Sequence, residues 1–299
     1  LTAMNESDLV ISIGSRFSDR TYSKRTSINP GCKIIHVDID STEFDKRVPA
    51  TLNIRADLRD AIGEMMRHLG PFVPKDEWAV QVAGFKAKCA GCNIELPNDP
   101  IAPQRIMHEI NKVLDDNTII TTDVGQNQMW AMHHLRINRP RQFISSGSLG
   151  TMGFGLPSAL GAKVACPEKK VMTITGDGGL LMVIQELATA VAEDIPVVIC
   201  LLNNGWLGMV KQWQKLFWDK RYSSTRLYDS NPDFVKLAEA FGAKGIRVER
   251  PGEIADALRQ AFASDKPCLV DIICDPEEDM LPMIPNNPAQ QIVRGRCQY

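Results

Sequence analysis

The sequence has little net charge and no long apolar run. Its 299 residues carry 34 Lys and Arg against 36 Asp and Glu, a formal net charge of −2. A chain without a basic excess lacks the electrostatic footprint of a nucleic-acid-binding protein. No segment approaches the roughly 20 consecutive apolar residues of a membrane-spanning helix, and the residues after Leu1 lack the pattern of a signal peptide. We therefore expect a soluble protein without nucleic-acid or membrane partners, cytoplasmic unless an upstream organellar transit peptide has been removed.

Motifs of several common enzyme classes are also absent. The sequence contains no GxxxxGK[ST], no HExxH and no GxSxG, which argues against a P-loop nucleoside triphosphatase, a zinc protease of the HExxH type and an α/β-hydrolase. The glycine tract at Gly153 and Gly155 lacks the third glycine of GxGxxG. Cys89 and Cys92 form one CxxC without a second pair among eight scattered cysteines, so we expect free thiols in a reducing compartment. A metal or redox role for this CxxC stays open beside that of a plain linker.

Six short β-rich segments alternate with helical patterns in the last two thirds of the chain. They are Thr118–Thr122, Gln142–Ile144, Val171–Thr175, Val197–Leu202, Gly245–Val248 and Cys268–Ile273. Such alternation is typical of α/β proteins. Residues 101–299 are therefore predicted to form a doubly wound α/β domain around a six-stranded, mostly parallel sheet.

The chain before residue 101 is organised differently. Prolines 71, 74, 97 and 100 bracket a helical pattern over Asp76–Cys89, which makes residues 71–100 a connector. Residues 1–70 contain strand patterns at Asp8–Gly14 and Lys33–Ile39 and a helix from Asp57 to about Leu69. Two or three strands give a thin core with an open edge, so we expect part of a second α/β domain here.

Oxygen ligands follow two of the predicted strands in the larger domain. Gly176-Asp177-Gly178 ends one strand and Asn203-Asn204 ends the next, with one helix predicted over Leu180–Ala192 between them. A right-handed crossover makes two such strands parallel, so both ends open at one sheet edge. A carboxylate and an amide oxygen suit Mg²⁺, and the glycines leave backbone N–H groups accessible to a diphosphate. The sequence indicates a Mg²⁺-diphosphate site; the alternative is a tight turn with a capping Asp.

A GDG followed by a helix and a strand ending in NN resembles the thiamine-diphosphate signature. The neighbouring segments resemble the large catalytic subunit of acetolactate synthase (acetohydroxyacid synthase), in its C-terminal portion, from about Glu6 onward. The resemblance is carried by Ser146–Pro157, Ile184–Thr189, Asn203–Gln214 and Leu281–Pro285. It implies that residues 1–70 are the C-terminal half of a central FAD-binding-like domain and that residues 101–299 are the thiamine-diphosphate domain. The pyrimidine-binding domain that normally precedes them is absent, so we expect a fragment of a larger polypeptide or one part of a split enzyme.

The resemblance implies a transferase of the first common step of branched-chain amino acid biosynthesis. Such an enzyme decarboxylates pyruvate on thiamine diphosphate and condenses the hydroxyethyl carbanion with pyruvate or 2-ketobutyrate. A homodimer or tetramer with the cofactor site between subunits, and a small regulatory subunit, are also implied. Two alternatives stay open: another thiamine-diphosphate carboligase or decarboxylase, and a non-catalytic docking half of a split enzyme.

The resemblance also assigns cofactor and substrate roles to residues of the larger domain. Thiamine diphosphate would be held by Gln126, Asn127, Gly150, Thr151, Met152, Asp177, Gly178, Gly179, Asn204, Trp206, Leu207, Gly208 and Met209, and Mg²⁺ by Asp177, Asn204 and the backbone oxygen of Trp206. Asn127 stands where a His is common in the family. Met209 and Trp213 would shape the second-substrate pocket, although their i, i+4 spacing equally describes a buried helix face. No residue of this chain is the catalytic glutamate, which the family places in the absent domain.

FAD contacts are implied for the N-terminal part. They would come from Gly14, Ser15, Arg16, Phe17, Ser18, Asp38, Ile39, Asp57 and Leu58. Gly14 permits a tight turn after a strand, Arg16 can pair with a pyrophosphate and Asp38 can accept a hydrogen bond from a ribose hydroxyl. Ser18 replaces an acid that is usual in the family. Without the resemblance, the same residues describe a solvated arginine loop.

Overall fold

The computed structural model of this chain describes residues 2–18, 28–71, 76–90, 99–281 and 283. Their contacts divide the protein into two compact units. The first contains the described residues up to 90 together with those at 281 and 283, and the second runs from 99 to 280. The predicted domain boundaries instead assigned residues 281 and 283 to the larger domain.

The first unit is built on a small parallel sheet. Its elements are α1 (Thr2–Glu6), β1 (Leu9–Ile13), β2 (Lys33–Asp38), β3 (Leu52–Arg55), α2 (Leu58–His68) and α3 (Asp76–Ala90). The strands pair in the order β1-β2-β3, all parallel. The Asp57 side chain caps α2 by accepting from the Arg59 N–H, which satisfies one of the free donors at a helix start. The small core consists of Phe17, Ile28, Ile34 and Val48.

The second unit contains a six-stranded sheet with helices on both faces. Its elements are α4 (Pro103–Asn111), β4 (Thr118–Thr122), α5 (Gln126–His134), β5 (Phe143–Ser145), α6 (Gly155–Ala165), β6 (Lys170–Gly176), α7 (Asp177–Leu181), α8 (Glu186–Ala192), β7 (Val198–Asn203), α9 (Gly208–Phe217), α10 (Phe234–Ala240), β8 (Lys244–Val248), α11 (Ile254–Phe262) and β9 (Cys268–Ile273). The strands run in the order β5-β4-β6-β7-β9-β8, and every pair is parallel. The predicted fold class is confirmed.

Successive residues of the central strands point to opposite layers, because side chains alternate across a strand. On β6, Met172 belongs to a core that includes Trp130 of α5 and Leu258 of α11. Val171 belongs to a second core under α6 to α8 and α10, where Leu156, Leu187 and Phe234 are buried. A parallel sheet buried on both faces has near-continuous apolar strands. For this reason these strands could be predicted from the sequence.

The strand order reverses between β4 and β6. From β4 the chain moves outward to β5, and it then returns to β6 on the other side of β4. In open α/β sheets, ligands bind beside the carboxyl ends of the strands at such a switch point. The topology therefore singles out the ends of β4 and β6 as the place for a site.

One helix prediction is wrong. The sequence predicts a continuous helix over Leu180–Ala192, whereas the structure has α7 and α8 separated by a turn. In this turn the N–H of Val183 bonds to the Leu180 carbonyl, and the N–H of Glu186 bonds to the Val183 carbonyl. Such i to i−3 bonds tighten the backbone and end an α-helix, a change that hydrophobic periodicity does not report. Among the described residues, no helix has the length and apolarity to cross a membrane.

Candidate functional site

Polar side chains follow the carboxyl ends of three adjacent strands in the second unit. Asp123 follows β4, Asp177 follows β6 and Asn204 follows β7. All three are almost completely buried. Because β4, β6 and β7 are neighbouring parallel strands, these residues meet at one edge of the sheet, at the switch point.

Asp177 is the buried carboxylate of this edge and the first residue of α7. The Asn231 side-chain amide donates to its Oδ2 at 2.8 Å. Burial raises the pKa of the Asp177 carboxyl to about 6, while hydrogen bonds from Asn231 and from the backbone of Gly178 and Gly205 act in the opposite direction. A carboxylate whose charge is costly to bury gains from a bound cation.

The turn after β7 approaches Asp177 closely, since the Gly205 backbone lowers the pKa of its carboxyl. Asn204 Oδ1 accepts from the Trp206 N–H at 3.0 Å. Gly205 has a φ of +69°, and a Cβ there would lie 2.6 Å from the Tyr228 ring. Only glycine fits this position without strain. The structure thus brings together the residues predicted to bind Mg²⁺, namely Asp177, Asn204 and Trp206.

The predicted diphosphate residues Gln126 and Asn127 begin α5 and are buried. Asn127 Nδ2 would be 3.1 Å from a Cβ on Gly176, so this amide lies against the start of the Asp177 turn. Asn127 Oδ1 is buried without a hydrogen-bond partner in the described part of the chain. Gln126 Nε2 donates to Gln212 Oε1 of α9 at 2.8 Å, and a Cβ on Gly208 would clash with Gln126 Oε1. The start of α5 is therefore in contact with the turns that follow both β6 and β7.

Gly178 and Gly179 are closely packed against neighbouring side chains. A Cβ on Gly178 would clash with Leu207, and a Cβ on Gly179 would clash with the Asp123 carboxylate. The sequence interpretation gave these glycines the role of exposing backbone N–H groups. The structure adds that Leu207 and Asp123 leave no room for a side chain at positions 178 and 179.

Asp123 is a site residue that the sequence did not single out. Its Oδ1 accepts from the Gly153 N–H at 3.1 Å, and its Oδ2 accepts from the Gly155 N–H at 3.0 Å. The carboxylate therefore anchors the glycine tract to the end of β4. An Asp directly after a buried strand, at a predicted sheet edge, was the signal available in the sequence.

The predicted residues Gly150, Thr151 and Met152 lie just before this anchor. Gly150 has a φ of +69°, and the Thr151 N–H donates to Ser146 Oγ at 3.0 Å. All three are exposed, Met152 by 36%. Met152 is thus not part of the buried core of the second unit.

Met209 and Trp213 both belong to α9 and are half-buried. The Trp213 ring packs against Phe217 at a centroid distance of 5.1 Å and lies 6.5 Å from the Trp218 ring. Trp213 lines an open pocket of about 450 Å³ together with Val210, Gln214, Trp218 and Arg221. Trp213 therefore faces a cavity on this side of α9 and not the core of the sheet.

The predicted FAD residues follow the carboxyl ends of all three strands of the first unit. Gly14 follows β1 with a φ of +60°, and its N–H donates to the Val37 carbonyl. Asp38 ends β2, and its Oδ1 accepts from the Asp40 N–H. Asp57 caps α2, and Phe17 is 4% exposed and belongs to the core. These last two positions have structural roles that are independent of any ligand.

The remaining predicted positions differ in what the structure describes. Ile39 is 65% exposed. Cys89 lies within α3, whereas Cys92 is outside the described residues. In the Leu281–Pro285 motif, only Leu281 and Met283 are described. Among the described residues, no cluster of three or more His, Cys, Asp or Glu could hold a metal.

The sequence was compared with known protein families, and two family models match this chain. Residues 123–272 match the family described as "Thiamine pyrophosphate enzyme, C-terminal TPP binding domain", and residues 1–65 match "Thiamine pyrophosphate enzyme, central domain". The chain belongs to the thiamine pyrophosphate enzymes.

Individual relatives narrow the likeness to acetolactate synthase large subunits. The chain is 46% identical to the probable acetolactate synthase large subunit of Methanococcus aeolicus, over 94% of this chain and 49% of the relative. It is 41% identical to the acetolactate synthase large subunit of Haemophilus influenzae, over 94% of this chain and 50% of the relative. For the acetolactate synthase isozyme 2 large subunit of Escherichia coli the identity is 39%, over 95% and 50%. The predicted resemblance is confirmed, and the chain spans about half the length of the curated relatives that it matches.

Proposed function

We propose that the protein containing these residues is an acetolactate synthase large subunit. It would decarboxylate pyruvate and join the remaining two-carbon unit to a second 2-keto acid, pyruvate or 2-ketobutyrate. The observation that carries the proposal is the convergence of Asp177, Asn204 and Asn127 at the switch point of a chain that resembles these subunits over 94% of its length.

The residues present fit thiamine diphosphate and Mg²⁺. Asp177 supplies a buried carboxylate, Asn204 an amide oxygen and Trp206 a backbone oxygen, and hard cations prefer such oxygen donors. Asn127 Oδ1 has no hydrogen-bond partner among the described residues, which supports a role for this buried amide in contacting a bound group. The glycines at 178, 179 and 208 leave no room for side chains of their own. When bound, the thiazolium ring of thiamine diphosphate accepts the electron pair released as a 2-keto acid loses CO₂.

Each part of the chain has a distinct task in this proposal. Gln126 and Asn127 orient the diphosphate, and Asp123 keeps the glycine tract in place so that Met152 can support the middle of the cofactor. Trp213 on α9 borders the space for the second 2-keto acid, and Met209, one turn earlier on the same helix, would contribute to it. The acid that protonates the aminopyrimidine is supplied from outside these residues, so a complete site needs a further domain, contributed by a partner subunit.

FAD, subunit partners and location are further parts of the proposal. The ends of β1, β2 and β3 place Gly14, Asp38 and Asp57 at one sheet edge, an arrangement that supports an FAD-binding half-domain. The term "large subunit" in the relatives' names supports a small regulatory partner. We place the protein in the cytoplasm; a yeast relative is described as mitochondrial.

The function is tested by product analysis with the complete polypeptide, expressed together with its regulatory partner where one exists. We expect acetolactate from pyruvate alone, and 2-aceto-2-hydroxybutyrate when 2-ketobutyrate is added, both dependent on thiamine diphosphate and Mg²⁺. Release of free acetaldehyde as the main product would indicate a decarboxylase instead. A flavin absorption spectrum in the purified protein would support the FAD assignment, and its absence would remove it.

A further inference from the structure

Asn231 contacts the predicted cation site although no motif includes it. Its Nδ2 donates to Asp177 Oδ2 at 2.8 Å. An ionised carboxylate only accepts hydrogen bonds, so the atom facing it must be the amide nitrogen. Asn231 Oδ1 is buried without a hydrogen-bond partner in the described ranges. Among the described side chains, Asp177 is therefore the one that sets the orientation of the Asn231 amide.

A short segment before Asn231 holds the turn that carries the other predicted ligands. Trp206 forms an antiparallel bridge with Arg226. The Leu207 N–H donates to the Thr225 carbonyl, and the Leu227 N–H donates to the Gly205 carbonyl, both at 2.8 Å. The segment Thr225–Leu227 thus runs alongside the turn Gly205–Leu207 as a two-stranded clamp.

Asn231 connects this clamp to Asp177. Its own N–H donates to the Leu227 carbonyl at 2.8 Å, which places the side chain one tight turn beyond the clamp. The helix that follows is capped by Asp233, which accepts from the N–H groups of Val235 and Lys236. Since Asp233 satisfies the start of α10, the Asn231 side chain is not needed to begin that helix.

We propose that Asn231 is a positioning residue for the divalent cation. Its amide fixes the rotation of the Asp177 carboxylate, and the clamp Thr225–Leu227 fixes the turn that carries Asn204 and Trp206. One stretch of chain then sets the spacing between ligands that follow two different strands. The inference rests on the proposed Mg²⁺ site at Asp177. It adds Asn231, which would orient the Asp177 carboxylate without contacting the cation.

The test measures Mn²⁺ binding by the complete polypeptide with thiamine diphosphate and without any 2-keto acid. The concentration of free Mn²⁺ is determined from its paramagnetic resonance signal. Asn231→Ala removes the donor, and Asn231→Leu removes it while keeping a similar volume. We expect both variants to bind Mn²⁺ roughly 10- to 100-fold more weakly, the range found when partners of metal ligands are removed. Circular dichroism and thermal unfolding check that each variant is folded.

The neighbouring Ser230→Ala is the matched control, because Ser230 is exposed and, within the described part of the chain, its Oγ donates only to the Leu227 carbonyl. Its Mn²⁺ affinity should stay within about twofold of that of the unchanged protein. Unchanged affinity in a folded Asn231 variant, or an equal loss in Ser230→Ala, would overturn the positioning role. Asp177→Asn distinguishes failure of the proposed cation site from failure of the role of Asn231. If Asp177→Asn leaves Mn²⁺ binding intact, the proposed cation site is wrong. If it abolishes binding while the Asn231 variants bind normally, only the role of Asn231 is wrong.

Discussion

At the scale of single residues, the strand ends around Asp123 and Gly179 are tightly packed. The buried Asp123 carboxylate accepts three backbone N–H bonds, from Val124, Gly153 and Gly155. Such charge-assisted bonds are stronger than neutral ones. The carboxylate occupies the space where a side chain on Gly179 would lie. The turn after β6 and the glycine tract are therefore positioned by one common group.

Gly179→Ala tests this packing. The added methyl would clash with the Asp123 carboxylate, and we expect the free energy of unfolding to fall by about 1–3 kcal/mol, as for other overpacked sites. The affinity for thiamine diphosphate should fall as well. Gly161→Ala is the control, because no described residue lies within 4 Å of a Cβ there and alanine favours the interior of α6. Equal stability of the two variants, measured by urea unfolding, would contradict the tight contact.

The raised pKa of Asp177 predicts a pH dependence of stability in metal-free protein. Burial raises this pKa from 3.8 to about 6, so the folded state holds the proton at pH values where the unfolded chain has released it. The free energy of unfolding should therefore decrease as the pH rises from about 4 to about 6 and then level off. The shift corresponds to roughly 3 kcal/mol.

The comparison that checks this uses Asp177→Asn, which has no proton to lose. The unchanged protein should lose stability relative to Asp177→Asn between about pH 4 and pH 6, as judged by thermal unfolding in a chelator. Parallel curves for the two proteins would show that Asp177 is not the responsible group. Added Mg²⁺ should reduce the loss above about pH 6, because the cation binds the ionised carboxylate.

At the scale of secondary-structure elements, α9 is held in place mainly by polar contacts. Gln212 is 1% exposed, and its amide exchanges hydrogen bonds with the backbone of Met280. Lys211 Nζ donates to the Pro276 carbonyl and lies 4.6 Å from the centre of the Trp206 ring. The polar inner face of α9 connects the proposed cofactor site to the segment after β9, while Trp213 remains free to line a pocket.

Trp213→Leu is expected to change substrate preference. The indole forms one wall of the pocket on α9, and a smaller side chain would give less contact with the ethyl group of 2-ketobutyrate. The ratio of 2-aceto-2-hydroxybutyrate to acetolactate in a competition assay should fall by roughly 10-fold or more, since a missing apolar contact costs about 1–3 kcal/mol. Trp78→Leu, in the other compact unit, is the control. An unchanged product ratio would argue against Trp213 as a specificity residue.

At the scale of the whole molecule, the two compact units differ in how well they bury their sheets. The second unit covers both faces of its parallel sheet. In the first unit, Leu9, Ile11 and Ile13 on the edge strand β1 are each more than 40% exposed. Parallel sheets are almost always covered on both faces, and among the described residues β1 departs from this pattern.

We predict that residues 1–299 alone form no acetolactate from pyruvate. They hold the groups proposed to bind the diphosphate and the cation, whereas the glutamate that activates the aminopyrimidine is expected in a domain outside them. The measurement is a discontinuous acetolactate assay on the purified 299-residue chain beside the complete polypeptide. Acetolactate formed by the 299-residue chain would refute the need for a further domain outside it.

Much of the fold was predictable because both faces of the larger sheet are buried. The strands Thr118–Thr122 and Cys268–Ile273 have the predicted bounds, since continuous apolar runs flanked by turns are distinctive. The helix over Leu180–Ala192 was predicted as one element, because its break at residues 182–185 depends on local i to i−3 hydrogen bonds. Periodicity over so few residues is the same for one helix and for two.

The sequence by itself determined the family and the donor types: a carboxylate at Asp177 and an amide at Asn204, each placed at a strand end by short-range pattern. The tertiary structure alone decided which distant residues lie against these strand ends. Asn231 reaches Asp177 only because the chain folds back along the turn at Gly205, and Asp123 meets Gly179 only because β4 and β6 are neighbours. Such contacts depend on strand order and chain reversal, which no local spacing encodes.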